Sequence, residues 1–128
     1  MIVLDAAAAI ELILTTPTGA VVSRRLRGES VHVPFHFDVE TMGAIRHQLL
    51  RGTLSEHDAH AAVVTLRRLR LRRRSIRSGL DRAWALRHSL TVADALYVAL
   101  AEALNAPLLT CDERLARSHG HQAVIELP

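Results

Sequence analysis

The chain has 128 residues, 49% hydrophobic, 23% charged and 3% aromatic; its 16 basic residues are all arginine, against 13 acids, for a net charge of +3. That length argues for one domain, residues 1–128, able to bury roughly two-thirds of the surface its unfolded form exposes without a disulfide or structural metal. The lone Cys111 suits a reducing compartment. No apolar run approaches the roughly 20 residues of a membrane span, and strand-like residues from Met1 leave no expected room for a signal peptide, so a cytoplasmic protein with no membrane association is expected. The basic balance favours an acidic partner, nucleic acid first. With so few aromatics, phosphate contacts are a more obvious recognition device than base stacking.

Met1 to Leu4 is an apolar run that reads as a buried strand, and Asp5 follows it at once, well placed to cap an alanine-rich helix over 6–14. Thr16-Pro17 is an N-cap and first-turn pair for a helix to about Arg27, stopped at Gly28. Val31 to Pro34 reads as a second strand. A helix then starts near Phe37, with Met42, Ile45 and Leu49 on its apolar face, Asp38 as its expected cap and Glu40 in its first turn. Ser55 and Asp58 open another helix with a buried stripe of Ala59, Ala62, Val63 and Leu66. Next comes a tract with seven arginines in the eleven residues from Arg67 to Arg77, read either as a solvated helix end and edge strand or as an RNA backbone track. Leu80, Ala83 and Trp84 begin a helix to about Ser89, with Trp84 expected in the core.

Thr91 to Asn105 carries the strongest helical periodicity in the chain, with Ala93, Leu96, Tyr97, Leu100, Ala101 and Leu104 on one face. Thr91 suits its N-cap, Asp94 completes a capping-box-like pair, and Asn105 and Pro107 end it. Leu108-Leu109 is a short buried strand leading to Thr110-Cys111-Asp112. A short helix over 113–119 and a strand over 124–127 finish the chain. The alternation argues for an α/β fold, a short parallel sheet flanked by helices on both faces.

Asp5 and Asp112 follow strands, while Glu40 and Asp94 occupy helix first turns. In an open parallel sheet, strand C-termini and helix N-termini face one rim, where ligands bind. Each acid has a local reason to be there; four with the same placement point to a shared site. Two carboxylates about 4 Å apart repel by roughly 4 kcal/mol at an effective dielectric near 20, so some are protonated or a cation compensates. All-oxygen ligands select Mg²⁺ or Mn²⁺ rather than Zn²⁺, and such an ion can activate water and stabilise charge on a phosphodiester. No histidine is read as a ligand or general base: His57 and His60, the one pair at helical spacing within an expected helix, are expected on a solvent face. A receiver-like phosphorylation module would need a lysine, and a DxD phosphatase an Asp-x-Asp; the chain has neither.

Residues 2–6 (Ile-Val-Leu-Asp5-Ala), Pro34 with Glu40 and Arg46, the specific segment from Thr91 through Asp94 and Tyr97 to Glu102, and Leu109 to Leu115 around Asp112 together resemble the PIN-domain nucleases of the VapC toxin kind. The resemblance spans the whole chain; Gly43 and Ala116 stand where relatives often carry asparagine and an acid. It implies a PIN-like sheet of about four to five strands and an Mg²⁺-dependent endoribonuclease, with Mn²⁺ as a substitute ion. Asp5, Glu40, Asp94 and Asp112 become the catalytic and metal-binding acids, with Thr91 as a support; Thr110 is a further candidate support, and Arg46 together with Arg72, Arg73 and Arg74 of the arginine tract are candidate RNA contacts. Its implied partners are tRNA or ribosomal RNA, a cognate VapB-like antitoxin and a second copy in a homodimer. The alternative from a different functional class is a PIN fold that binds RNA or protein without cutting.

Overall fold

The computed structural model describes residues 1–128. Five strands, β1 (Ile2–Leu4), β2 (Val31–Pro34), β3 (Arg72–Arg74), β4 (Leu108–Leu109) and β5 (Ile125–Glu126), form one parallel sheet in the order β3-β2-β1-β4-β5. The helices are α1 (Ala6–Ile13), α2 (Pro17–Arg25), α3 (Phe37–Leu50), α4 (Glu56–Arg68), α5 (Leu80–Ala85), α6 (Val92–Leu104) and α7 (Glu113–Ala116). From β1 the chain steps through α1–α2 to β2 and through α3–α4 to β3, then returns through α5–α6 to β4 on the other side of β1. Right-handed crossovers in opposite directions put the two helix groups on opposite faces, and α1–α4 pack on one another while α5 packs on α6. The reversal of strand order falls between β1 and β4, so the residues just after these two strands stand at the switch point.

Central strands are wholly buried, as parallel strands covered on both faces must be: Ile2, Val3, Leu4, Leu108 and Leu109 expose at most 1%. Helix α6 lies against β1, β2 and β4 and is buried on most of its circumference from Ala95 to Ala99 and again at Ala101. Its caps match the expectation: Thr91 Oγ1 accepts the Asp94 N–H at 3.2 Å, and Asn105 adopts the left-handed conformation at φ 48° that ends the helix. No single helix is long and apolar enough to cross a membrane.

Three expectations are corrected. The buried stripe of α3 is Phe37, Thr41 and Ile45, while Met42 is half-exposed; the i, i+4, i+8 row, not the row through Met42, faces α1 and α4. Asp38 caps nothing. The α3 N-cap is His36, and Asp38 reaches the neighbouring edge strand, accepting from Arg73 Nε and Nη2 at 2.6 and 2.9 Å. Trp84 is 64% exposed, because the six-residue α5 is anchored by Ala83 and the following Leu86 instead. The arginine tract does contain an edge strand, with Arg72, Arg73 and Arg74 all exposed.

Helices α1 and α2 meet at Gly19, where a Cβ would stand 2.0 Å from the Glu11 carbonyl oxygen. No side chain fits that approach. Gly19→Ala is expected to cost about 1–3 kcal/mol through overpacking, read as a lower urea midpoint at unchanged slope; a midpoint equal to the parent's would show that the two helices part freely.

Candidate active site

Asp5 leaves the end of β1 and caps α1, its Oδ1 accepting the Ala8 N–H at 2.8 Å. Its Oδ2 accepts from the Thr110 hydroxyl, which stands just after β4. Thr110 Oγ1 in turn accepts the Asp112 N–H at 2.9 Å. One hydroxyl therefore ties together the acids that follow the two strands at the switch point. Asp5 is only 5% exposed. Burial pushes its carboxyl up to about 6 against the lowering effect of its two hydrogen bonds, and the charges of Asp94 and Glu40 add to the rise.

Glu40, in the first turn of α3, accepts from the Tyr97 hydroxyl at 2.7 Å. Burial, then the bond to Glu40, holds the Tyr97 phenol far above its ordinary range, so it remains a donor. The ring of His36 packs on Tyr97 at 4.9 Å between centroids. Its Nε2 lies 3.2 Å from the Ala93 carbonyl and 3.5 Å from Glu40 Oε1. Both are acceptors, so Nε2 carries the proton, and His36 links the first turns of α3 and α6. Asp94 faces Arg114, whose Nη2 is 3.6 Å from Asp94 Oδ2 and 3.4 Å from Asp112 Oδ2. Asp112 also caps α7, accepting from the N–H groups of Arg114 and Leu115.

The four acids thus lie along one rim: Asp5 joined to Asp112 through Thr110, Asp112 to Asp94 through Arg114, and Asp5 within electrostatic reach of Asp94 and Glu40. No three His, Cys, Asp or Glu side chains stand close enough to form a finished ligand set. The donors still suit a hard divalent cation in kind. They are carboxylates, one is buried among like charges, and an exposed guanidinium already answers two of them. Burial pushes the neighbouring Cys111 thiol up to about 11, so it is no ready nucleophile.

Of the other expected residues, Thr91 supports Asp94 through the helix cap. Arg46 is exposed on α3 without an ion pair, and Arg72 is exposed without a partner. Arg73 is held by Asp38, and Arg74 Nε donates to the buried His32 at Nδ1, 3.0 Å away. Sequence reasoning missed Tyr97 and His36 as site residues. The available signals were Tyr97 one turn after Asp94 and His36 one turn before Glu40, each on the face of its acid.

The description "PIN domain" fits residues 2–119. The chain is 58% identical over 127 residues to Ribonuclease VapC12 of Mycobacterium tuberculosis, covering 99% of this chain and 98% of that protein. Among solved structures it resembles PAE2754 from Pyrobaculum aerophilum (TM-score 0.71, 19% identity, 97% of this chain and 81% of that one). It also resembles VapBC2 from Rickettsia felis, solved with a DNA fragment from the promoter (TM-score 0.68, 14% identity, 99% and 98%).

A carboxyl raised from 3.8 to about 6 costs the fold almost nothing below about pH 3, where it is protonated folded and unfolded. Between pH 4 and 6 the unfolded chain ionises first and stability falls; above pH 6 the full cost of about 3 kcal/mol is present. Without divalent ions, Asp5→Asn is expected to flatten this fall and to exceed the parent's stability at pH 7.5. Parallel pH–stability curves for the two proteins would show that Asp5 is not the strained group.

Proposed function

The chain belongs to the PIN-domain family and to its VapC-type ribonucleases, the toxins of toxin–antitoxin pairs, and from that premise we propose that its acidic rim is a divalent-cation centre for endonucleolytic hydrolysis of RNA. Asp5, Glu40, Asp94 and Asp112 hold the ion, Mg²⁺ with Mn²⁺ as substitute. Thr110 orients Asp5, Tyr97 and His36 orient Glu40, and Thr91 fixes the turn that carries Asp94. When bound, the ion supplies Lewis-acid polarisation of the phosphodiester and neutralises charge that builds there. The observation that supports this reading is the electrostatic state of Asp5, a buried carboxylate that feels two other acids and has no cation of its own. Arg114 supplies the missing charge to Asp94 and Asp112 only.

The substrate is structured stable RNA, tRNA or ribosomal RNA, with Arg46, Arg72, Arg73 and Arg74 as backbone contacts. A VapB-like antitoxin neutralises the enzyme, two copies form a homodimer, residues 1–128 act as a single PIN-like domain, and the compartment is the cytoplasm. The second reading is a module that binds RNA or protein without cutting it. Its support is that no three ligands stand at metal spacing.

Mn²⁺ at about 100 times its dissociation constant is expected to raise Tm by roughly 5–10 °C, because it binds only the folded chain. Asp94→Asn is expected to abolish RNA cleavage while keeping the fold. A Tm indifferent to Mn²⁺ removes the metal centre, and an Asp94→Asn protein that cuts like its parent moves the chemistry elsewhere. A chain that takes up the ion and binds RNA yet leaves it whole establishes the second reading.

Replacing Arg72, Arg73 and Arg74 by Ala is expected to flatten the salt dependence of RNA binding, by roughly 0.7 in log–log slope for each phosphate that an arginine no longer neutralises. Arg73, already neutralised by Asp38, contributes least; an unaltered slope takes the edge strand off the RNA path.

A further inference from the structure

A groove of about 490 Å³ opens directly beside the acidic rim. Asp94 and Arg114 belong to both, and Arg87, His88, Arg117 and His119 line the part beyond. Its arginines are not equivalent. Arg114 is answered by Asp94 and Asp112, and Arg117 by Glu113. Arg87 has no carboxylate partner: its Nη1 donates to the Trp84 carbonyl at 2.9 Å, and its guanidinium carbon lies 4.7 Å from the centre of the Trp84 ring. Trp84, the only tryptophan in the chain, leaves 64% of its surface in water. The fold does not need it there, since Ala83 and Leu86 anchor this segment.

An unneutralised guanidinium stacked on an exposed indole is a pair with two unmet affinities, one for a phosphate and one for a flat ring. A nucleotide supplies both together. We propose that this groove, together with the exposed indole that Arg87 stacks on, is a subsite for a single-stranded RNA segment flanking the cleaved bond: Arg87, which lines the groove, takes a phosphate, and the Trp84 ring beside it takes a base. This rests on the ribonuclease reading above. A protein partner is a poorer fit, because the acid at the groove's mouth already faces a cation and Leu90 and Leu115 are the only hydrophobic residues in its lining. The base contact also gives the enzyme a preference for unpaired over duplex RNA that its arginines alone do not provide, since only a splayed base can stack on the indole.

The indole reports on its own occupancy. With EDTA present to keep the RNA whole, a short oligoadenylate is expected to quench the tryptophan emission as it binds. Polyphosphate, which offers charge without bases, is expected to bind without quenching. Trp84→Ala should weaken oligoadenylate binding by about tenfold and leave polyphosphate binding alone, with Trp84→Phe recovering most of the loss. Arg87→Ala should weaken both ligands and lower the salt slope by roughly one phosphate contact. Oligoadenylate that binds by fluorescence anisotropy while the indole emission stays constant would overturn the subsite and leave the ribonuclease reading standing. A blue shift that grows with protein concentration in the absence of RNA would assign Trp84 to a contact between copies, and overturn it too. Neither binding nor metal-dependent cleavage of any RNA would instead strike the underlying reading, and this subsite with it.

Discussion

The site turns on the burial of one carboxylate. Asp5 sits at the reversal of strand order, beneath the first turns of two helices, and is nearly sealed from water. It is held by a helix-end N–H and a threonine hydroxyl, which favour its charge, against desolvation and two neighbouring acids, which oppose it. Desolvation is the largest of these effects. The folded chain therefore keeps an acid whose ionisation near neutrality is costly, and the surrounding elements are rigid enough to hold it there: a buried strand on each side and a central helix packed across both.

Around that acid the two layers contribute differently. Asp5 and Asp112 come from strand ends and are coupled by Thr110, so their separation is set by sheet register. Glu40 and Asp94 come from helix starts on opposite faces, and their spacing depends on how α3 and α6 meet over the sheet edge. His36 and Tyr97 occupy that meeting point, one sharing a proton between the Ala93 carbonyl and Glu40, the other donating to Glu40. Arg114, by contrast, reaches in from the short α7 with most of its side chain in solvent. A screened, exposed guanidinium is an easily displaced counter-charge, whereas the buried supports of Asp5 and Glu40 are not.

Much of this is legible in the sequence. The four acids are readable because their placement is local: a carboxylate directly after an apolar run, or one in the first turn after a cap, reveals its rim from sequence alone. The parallel sheet with helices on both faces follows from the alternation of elements, whereas the strand order β3-β2-β1-β4-β5 does not. Tyr97 and His36 are not readable as site residues, because their roles depend on contacts between helices distant in sequence; an aromatic at a periodic position looks like core, and most of the Tyr97 ring is core. Trp84 misleads for another reason. A six-residue helix presents too few apolar positions to define a face, so hydrophobicity alone sends a large aromatic inward when the neighbouring alanine and leucine are sufficient. Met42 misleads because two helical rows on α3 carry apolar residues and only packing against α1 and α4 chooses between them.

The outermost strand, β3, presents arginine at each of its three positions, with the backbone edge beyond it unpaired. An open strand of this kind ordinarily invites an identical strand from another molecule to continue the sheet. Here such an addition would press the unneutralised guanidiniums of Arg72 and Arg74 against those of the incoming strand, at the spacing of neighbouring strands, while Arg73 stays paired with Asp38. The sheet is thereby terminated by electrostatics where it lacks a covering element, and fibre-like growth from that side is disfavoured even when the protein is concentrated.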